Sequence, residues 1–217
     1  MRIALINPNT SSETTRMMLS IASEVAGTDA EVLGYTAGFG APLITTPMAL
    51  DRAVDAVAAL AGDLDQADAV IVAAFGDPGL DSLRSKLSVP VTGIAEAAMA
   101  EAAHGGRRFA VVTTTPELRG RIAATAARQG HETFAGTWTT EGDAVTLTAD
   151  APALEASLAN AIQRAVREGG AEAVVIGGGP LALAARTLAA TFAAPLIEPV
   201  PAAVRLSLKR IRSDGNT

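Results

Sequence analysis

Short runs of apolar residues recur along the chain, each followed by a polar or glycine-rich turn and then by an alanine-rich helical pattern. The runs are Ile3–Ile6, Ala69–Val72, Val89–Val91, Phe109–Val112, Ala173–Ile176 and Pro195–Ile197. Runs of this length without polar alternation are typical of strands that are buried on both faces. Their alternation with helical segments predicts parallel sheets flanked by helices, the α/β class.

The chain also repeats itself at a spacing of about 105 residues. The matching pairs are Arg2–Ile6 with Arg108–Val112, Ala67–Val70 with Ala171–Val174, and Val89–Val91 with Ala194–Leu196. Each match alone is weak because buried strands resemble one another, but three in the same order imply two similar halves. We predict a first α/β half over residues 1–100 and a second over 101–200. A C-terminal helix over 201–212 is expected to pack back on the first half.

Composition excludes several classes of protein. The 217 residues include no Cys and two His, which excludes disulfides and thiol nucleophiles and argues against a metal site. A net charge of −6 argues against nucleic-acid binding, because a phosphate backbone needs a basic face. No apolar run is long enough to span a bilayer, so we expect a cytoplasmic protein without membrane contact.

The glycines do not form a nucleotide-binding motif. Leu181 and Ala182 follow Gly177–Pro180, so the G-x-G-x-x-G pattern is absent, and no phosphate-binding G-x-x-x-x-G-K-[ST] loop occurs. We therefore expect no cofactor.

The turns after four strands resemble helix starts. Thr10 with Glu13 has capping-box spacing, Asp77 with Pro78 fits a cap and a first helical residue, and Thr115 fits a third cap. The fourth start follows Gly177. Helix N-termini present unpaired N–H groups, so the four turns together predict a site for a small anionic or carbonyl-rich metabolite in a cleft between the halves. The alternative for each turn alone is ordinary capping.

The candidate site residues lie in and beside these turns. The expected substrate-binding residues are Asn9, Thr10, Ser11, Phe39, Ala74, Phe75, Gly76, Thr113, Thr114, Gly177, Gly178 and Gly179. The candidate acid–base residues are Asp77 and Glu198. As alternatives, Asp77 serves as a helix cap and Glu198 faces solvent.

Several strings give the chain a family resemblance. They are Ile6–Ser11, Phe75–Leu80, Gly93–Ala98, Arg108–Thr114 and Ala171–Gly177. With them, nearly the whole chain resembles the hydantoin racemase branch of the aspartate/glutamate racemase superfamily. The resemblance implies two flavodoxin-like halves related by a pseudo-twofold axis. It also implies cofactor-free proton transfer by two cysteines, one on each face of the substrate α-carbon.

Both cysteines of the resemblance are missing from this chain. Their positions hold Ala74 and Gly178, which are themselves 104 residues apart. The expected function is therefore a cofactor-independent isomerase or lyase that acts on a small carboxylate, cyclic ureide or imide without two thiols. The alternative is a non-catalytic metabolite-binding protein, and a chain engineered to lose its thiols is a third reading. A homo-oligomer is expected.

Overall fold

The structure, a computed structural model, describes residues 1–214. The chain divides into two compact units. The first comprises Met1–Ile44, Met48–Ala97 and the C-terminal segment from Val200, and the second comprises Thr45–Pro47 and Ala98–Pro199.

The first half of the chain builds a four-stranded parallel sheet in the order β2-β1-β3-β4. Its elements are β1 (Arg2–Asn7), α1 (Ser12–Ala26), β2 (Glu31–Thr36), α2 (Pro47–Ala59), β3 (Ala69–Val72), α3 (Leu80–Lys86), β4 (Val91–Gly93) and α4 (Ile94–Ala102). Short 3₁₀ turns cover Ala61–Asp63 and His104–Gly106.

The second half builds a separate four-stranded parallel sheet of the same topology, in the order β6-β5-β7-β8. Its elements are β5 (Phe109–Thr113), α5 (Arg119–Arg128), β6 (Phe134–Thr139), α6 (Ala144–Thr148), α7 (Ala151–Arg167), β7 (Ala173–Ile176), α8 (Ala182–Ala189) and β8 (Leu196–Ile197). The C-terminal α9 (Pro199–Asp214) follows them, and from Val200 it belongs to the first unit. Short 3₁₀ turns precede α5 at Pro116–Leu118 and α8 at Gly179–Leu181.

The predicted fold class is confirmed, because all six predicted runs lie in or overlap strands of two parallel sheets. The four central strands of the two sheets, β1, β3, β5 and β7, carry almost only buried apolar residues, which explains why they could be read from the sequence. The strand β2 escaped prediction, since it lies at a sheet edge with Glu31, Leu33 and Gly34 exposed.

Each sheet has its own apolar core, which stabilises its half by removing side chains from water. In the first half Ile6 and Val70 pack with Val57 of α2 and Leu83 of α3. In the second half the core includes Val112, Val174, Leu158, Ile162 and Leu188. No helix in the described part of the chain is long and apolar enough to cross a membrane.

The helix α9 is tied to the first half by arginines. Nη1 of Arg210 donates to the carbonyl oxygen of Val91 at 3.1 Å and to Oγ1 of Thr92 at 2.8 Å, while Nη2 pairs with Glu96 at 2.9 Å. A second pair, Arg212 with Asp29, is more than half exposed on both sides. The half-buried Arg210 cluster is therefore the stronger tie, because solvent weakens exposed pairs.

We predict that Arg210→Met lowers the free energy of unfolding by about 2 kcal/mol, since charge-assisted hydrogen bonds are lost and Glu96 loses a partner. Arg212→Met is the matched control and should cost less than about 1 kcal/mol. Urea unfolding of the two variants measures both values, and equal losses would contradict the tie described for Arg210.

Candidate functional site

The turn after β1 is closed by the side chains of two asparagines. Asn7 is fully buried, and its Nδ2 donates to Oδ1 of Asn9 at 2.8 Å and to Oγ1 of Thr15 at 3.0 Å. Its Oδ1 accepts the N–H of Asn9 at 3.1 Å, and Oδ1 of Asn9 accepts the N–H of Ser11 at 2.9 Å. Sequence reasoning missed Asn7, although a polar residue that ends a buried strand signals such a turn.

The helix α1 begins one residue later than predicted, so Thr10 is not its cap. Ser11 is the N-cap, and its Oγ accepts the N–H of Thr14 at 3.1 Å. The N–H of Thr10 donates to the carbonyl oxygen of Ala41 at 3.1 Å. The N–H groups of residues 9–11 are thus all satisfied inside the protein. The N–H groups of residues 9–11 are therefore not free for a ligand, whereas the side chains of Asn9 and Thr10 stay candidate donors of this turn.

The turn after β5 repeats the pattern with hydroxyl groups. Oγ1 of Thr113 lies 2.9 Å from Oγ1 of Thr115 and accepts the N–H of Thr115 at 3.4 Å. These two residues follow Asn7 and Asn9 by 106 positions, so the internal repeat extends to hydrogen bonds between side chains. The hydroxyl of Thr114 has no partner among the described residues.

The predicted cap at Thr115 is also corrected. Thr115 precedes a 3₁₀ turn and makes no side-chain cap bond, and α5 begins only at Arg119. The proline at position 116 lacks an N–H and therefore suits the start of that tighter turn.

The turn after β3 leaves backbone donors unused. The N–H of Ala73 donates to the carbonyl oxygen of Ile6 at 2.7 Å, and the N–H of Asp77 closes the turn on the carbonyl oxygen of Ala74 at 3.0 Å. Between them, the N–H groups of residues 74–76 have no acceptor in the described part of the chain. Ala74 is half-buried between the buried Ala73 and Phe75, so this turn offers donors beside a partly open position.

The turn after β7 has the same bonds. The N–H of Gly177 donates to the carbonyl oxygen of Val112 at 2.8 Å, and the N–H of Leu181 donates to the carbonyl oxygen of Gly178 at 3.1 Å. The N–H groups of Gly178 and Gly179 have no acceptor among residues 1–214. Successive free N–H groups in a turn bind anions and polarised carbonyl oxygens. Each half therefore keeps such a donor set where the resemblance places a thiol.

Asp77 does not cap α3, contrary to the predicted helix start. The helix α3 begins at Leu80 after Gly79, without a side-chain cap. Instead, Oδ1 of Asp77 accepts the N–H of Ala95 at 2.8 Å and Oδ2 accepts the N–H of Glu96 at 2.8 Å. Asp77 therefore caps α4, which follows 17 residues later in the chain, and no local sequence pattern indicates this pairing.

The Asp77 side chain occupies space that a glycine leaves free. A Cβ atom built on Gly93 would lie 2.1 Å from Cγ of Asp77, far inside van der Waals contact. Asp77 is 6% exposed, and it is the one non-glycine residue of the described chain with a positive φ, 51°. Burial raises the pKa of Asp77 to about 7, although the N–H groups of Ala95 and Glu96 stabilise the carboxylate.

Glu198 follows β8 and is engaged in an ion pair. Its Oε2 lies 3.0 Å from Nε of Arg186 on α8, and its side chain is 20% exposed. Arg84 on α3 and Glu96 form the corresponding pair at 2.8 Å, with the same separation of 12 residues along the chain. Burial opposes ionisation of Glu96, but hydrogen bonds from Arg210 and Arg84 lower its pKa overall. The catalytic roles of Asp77 and Glu198 stay predictions.

The remaining candidates differ in exposure. Phe75 is buried, whereas Phe39, in the segment after β2, is 40% exposed. No group of His, Asp and Glu residues in the described chain is arranged to hold a metal ion. Whether the turns of the two halves share one cleft stays a prediction.

The fold and these turns can be compared with known proteins. The crystal structure of allantoin racemase from Pseudomonas fluorescens matches with a TM-score of 0.94 and 29% identity, over 99% of this chain and 92% of that chain. Allantoin racemase from Klebsiella pneumoniae matches with a TM-score of 0.90 and 32% identity, over 99% and 89% of the two chains. The chain thus has the fold of these two racemases.

The sequence comparisons define the family. The family model described as Asp/Glu/Hydantoin racemase matches residues 3–207. The hydantoin racemase of Paenarthrobacter aurescens is 30% identical over 214 residues, 95% of this chain and 89% of that protein. The chain belongs to the Asp/Glu/hydantoin racemase family, in its hydantoin racemase branch. The resemblance inferred from the sequence is confirmed.

The raised pKa of Asp77 predicts how stability depends on pH. Between about pH 4 and 7 the folded state holds a proton that the unfolded chain, with a carboxyl pKa of 3.8, has released. Stability should therefore fall as pH rises through this window and level off above it. Because one proton is involved, the free energy of unfolding of wild type should fall between pH 5 and 6 by about 1.4 kcal/mol per pH unit more than that of Asp77→Asn.

Urea unfolding at pH 5, 6, 7 and 8 measures this difference. The matched control is Asp143→Asn. Asp143 is an exposed N-cap of α6, and hydrogen bonds donated by Thr146 lower the pKa of its carboxyl group. This control should not flatten the profile between pH 5 and 6. Parallel profiles of wild type and Asp77→Asn would contradict a raised pKa at Asp77.

Proposed function

We propose that the chain binds a small cyclic ureide and acts on it as a cofactor-independent isomerase that works without thiols. The relatives that match over almost the whole chain are named hydantoin racemase and allantoin racemase, and both named compounds are cyclic ureides. The observation that carries the proposal is the set of free N–H groups at residues 74–76 and at Gly178 and Gly179. We favour an isomerase over a lyase because these relatives are racemases.

The free N–H groups suit a reaction that removes the proton from a substrate α-carbon beside a carbonyl group. Removal of its proton places negative charge on the neighbouring carbonyl oxygen, and fixed N–H donors stabilise that enolate oxygen. The side chains of Asn9 and Thr114 add neutral donors at the turns after β1 and β5. No arginine or lysine is needed for a neutral ureide, which fits the absence of either residue from these turns.

The proton itself has to move without a side chain at the two thiol positions. Ala74 and Gly178 carry no ionisable group, and both oxygens of Asp77 already accept N–H groups of α4. Water or hydroxide is therefore the proposed base, while the protein lowers the pKa of the substrate carbon. Enzymes that lose their proton-transfer groups but keep fixed donors retain a rate acceleration on the order of 10³.

The second candidate is a protein that binds the same ligand class without turnover. The specific observation in its favour is that the two acidic candidates are occupied, Asp77 by N–H groups and Glu198 by Arg186. A cytoplasmic location, a homo-oligomer and the lack of a nucleic-acid partner stay predictions.

We predict that hydantoin and allantoin bind to the protein and that α-proton exchange is accelerated. Calorimetric titration gives the affinity for each compound. Proton NMR in D₂O then follows loss of the α-proton signal of allantoin and of an enantiopure 5-substituted hydantoin, with and without protein.

The outcomes separate the two candidates. Binding with exchange faster than in buffer supports the isomerase, and binding with exchange at the buffer rate supports the binding protein. An absence of binding to both compounds would refute both. Wild-type protein unfolded in urea is the control for general catalysis by protein side chains.

We also predict that thiols restored at the two positions increase exchange. The double variant Ala74→Cys/Gly178→Cys should exceed wild type by roughly 10² or more, because each positioned acid–base group contributes about 10²–10⁴. The matched control Ala74→Ser/Gly178→Ser has side chains of similar size but without an acidic thiol, and it should stay near the wild-type rate. An equal gain in both double variants would argue against proton transfer at these positions.

The two single cysteine variants should differ in stability. Gly178 has a φ of 152°, and a Cβ there would lie 3.3 Å from Cδ1 of Leu181, so a side chain is strained. A strained backbone position of this kind costs about 1–3 kcal/mol, whereas Ala74 already carries a Cβ. Thermal unfolding of Gly178→Cys beside Ala74→Cys therefore shows whether low activity of the double variant reflects poor folding at position 178.

A further inference from the structure

We propose that Asp77 is a positioning residue that fixes the donor turn 74–76 by joining it to the N-terminus of α4. The inference rests on the proposed function in that it names what holds the ligand donors of the first half. It differs from a catalytic role, because Asp77 acts through the turn and α4.

A single residue, Asp77, connects to both the turn and α4. The backbone N–H of Asp77 bonds the carbonyl oxygen of Ala74 at 3.0 Å, which closes the turn. Its carboxylate binds the N–H groups of Ala95 and Glu96, each at 2.8 Å. The direction of the free N–H groups at 74–76 therefore depends on where α4 begins.

Close packing on two sides restricts the conformation of the turn. On one side, the Asp77 carboxyl group fills the space above Gly93, where a Cβ would meet its Cγ at 2.1 Å. On the other side α2 packs on the turn, and Leu50 would lie 3.1 Å from a Cβ on Gly76. The positive φ of Asp77 persists under such packing, and backbone strain of this kind is concentrated at functional sites.

The Asp77 carboxylate and the N–H groups of Ala95 and Glu96 form a clamp whose strength depends on charge. The charged side chains that act on Asp77 are Glu96 on α4, which raises its pKa, and Arg84 on α3, which lowers it. Arg210 of α9 holds Glu96 in place, and α2 presents the apolar Leu50 and Val57 to the turn. A carboxylate accepts two N–H groups well, whereas a protonated carboxyl accepts strongly only at its carbonyl oxygen. Protonation therefore loosens one bond to α4.

The second half lacks this clamp. The residue 104 positions after Asp77 is Leu181, which is buried and would contact a Cβ at Gly178. Glu198, which directly follows β8, pairs with Arg186. The turn at 178–181 thus has no carboxylate at the position of Asp77, and the two turns of one repeat should respond differently to pH.

A pH titration of backbone amide signals by two-dimensional ¹⁵N NMR tests the proposal on the ligand-free, full-length protein. In wild type, the amide signals of Ala95 and Glu96 and those of residues 74–76 should shift together with a midpoint near pH 7. The signals of Gly178 and Gly179 should not follow this midpoint. In Asp77→Asn the shared transition should be lost.

Two results would overturn the proposal. If the α4 signals titrate while those of 74–76 do not, Asp77 is a helix cap without influence on the turn. If no signal in either group titrates between pH 5 and 9, and Asp77→Asn leaves the signals of 74–76 at their wild-type positions, Asp77 does not fix the turn. The control Asp143→Asn should leave the wild-type transition intact, and the wild-type titration alone decides the matter if Asp77→Asn fails to fold.

This experiment is separable from the test of the proposed function. It needs no ligand, so a coupled titration in a protein that binds neither hydantoin nor allantoin would refute the function and retain the positioning role. Ureide binding together with either of the two overturning results would refute the positioning role alone.

Discussion

The backbone N–H groups at the carboxyl edge of each sheet need acceptors, because the strands beneath them are buried on both faces. After β1 the acceptor is the side chain of Asn7, and after β5 it is the hydroxyl of Thr113. At the start of α4 the acceptor is the Asp77 carboxylate. A buried N–H without a partner costs free energy, so these few oxygens determine the conformation of the turns around the candidate site.

Two turns keep backbone N–H groups without an acceptor in the described part of the chain. The turns after β3 and β7 leave the N–H groups of residues 74–76 and of 178–179 unpaired, whereas the turn after β1 satisfies those of residues 9–11 from within. These are also the turns in which the resemblance places two thiols and the chain has Ala74 and Gly178. Under the proposed function, the chain lacks side chains for proton transfer at these positions and has N–H groups that could stabilise an enolate.

The two halves repeat the same kinds of interaction with different residues. The i to i+2 bond after β1 recurs after β5, and the Arg84–Glu96 pair recurs as Arg186–Glu198. Yet Asp77 of the first half stands where the second half has Leu181. The same backbone bond therefore closes the turn in both halves, and in the first half the buried Asp77 carboxylate also joins the turn to the next helix.

The sequence by itself determined the α/β class, the positions of the buried strands, the two-part repeat and the family. These features depend on local hydrophobic runs and on residues that are neighbours in the chain. It also determined that no thiol is available. The sequence placed the helix starts at Thr10 and Asp77 incorrectly, because Ser, Thr and Asp are all suitable caps and their choice depends on the fold of the turn.

Only the tertiary structure decided what Asp77 does. Its carboxylate meets N–H groups 18 and 19 residues away, because β4 lies beside β3 in the sheet and Gly93 leaves space between them. The same holds for the free donors at 74–76, since an N–H is available only when the folded chain brings no acceptor to it. Partners across a sheet have no signature in a local pattern, and for that reason the site had to be read from the fold.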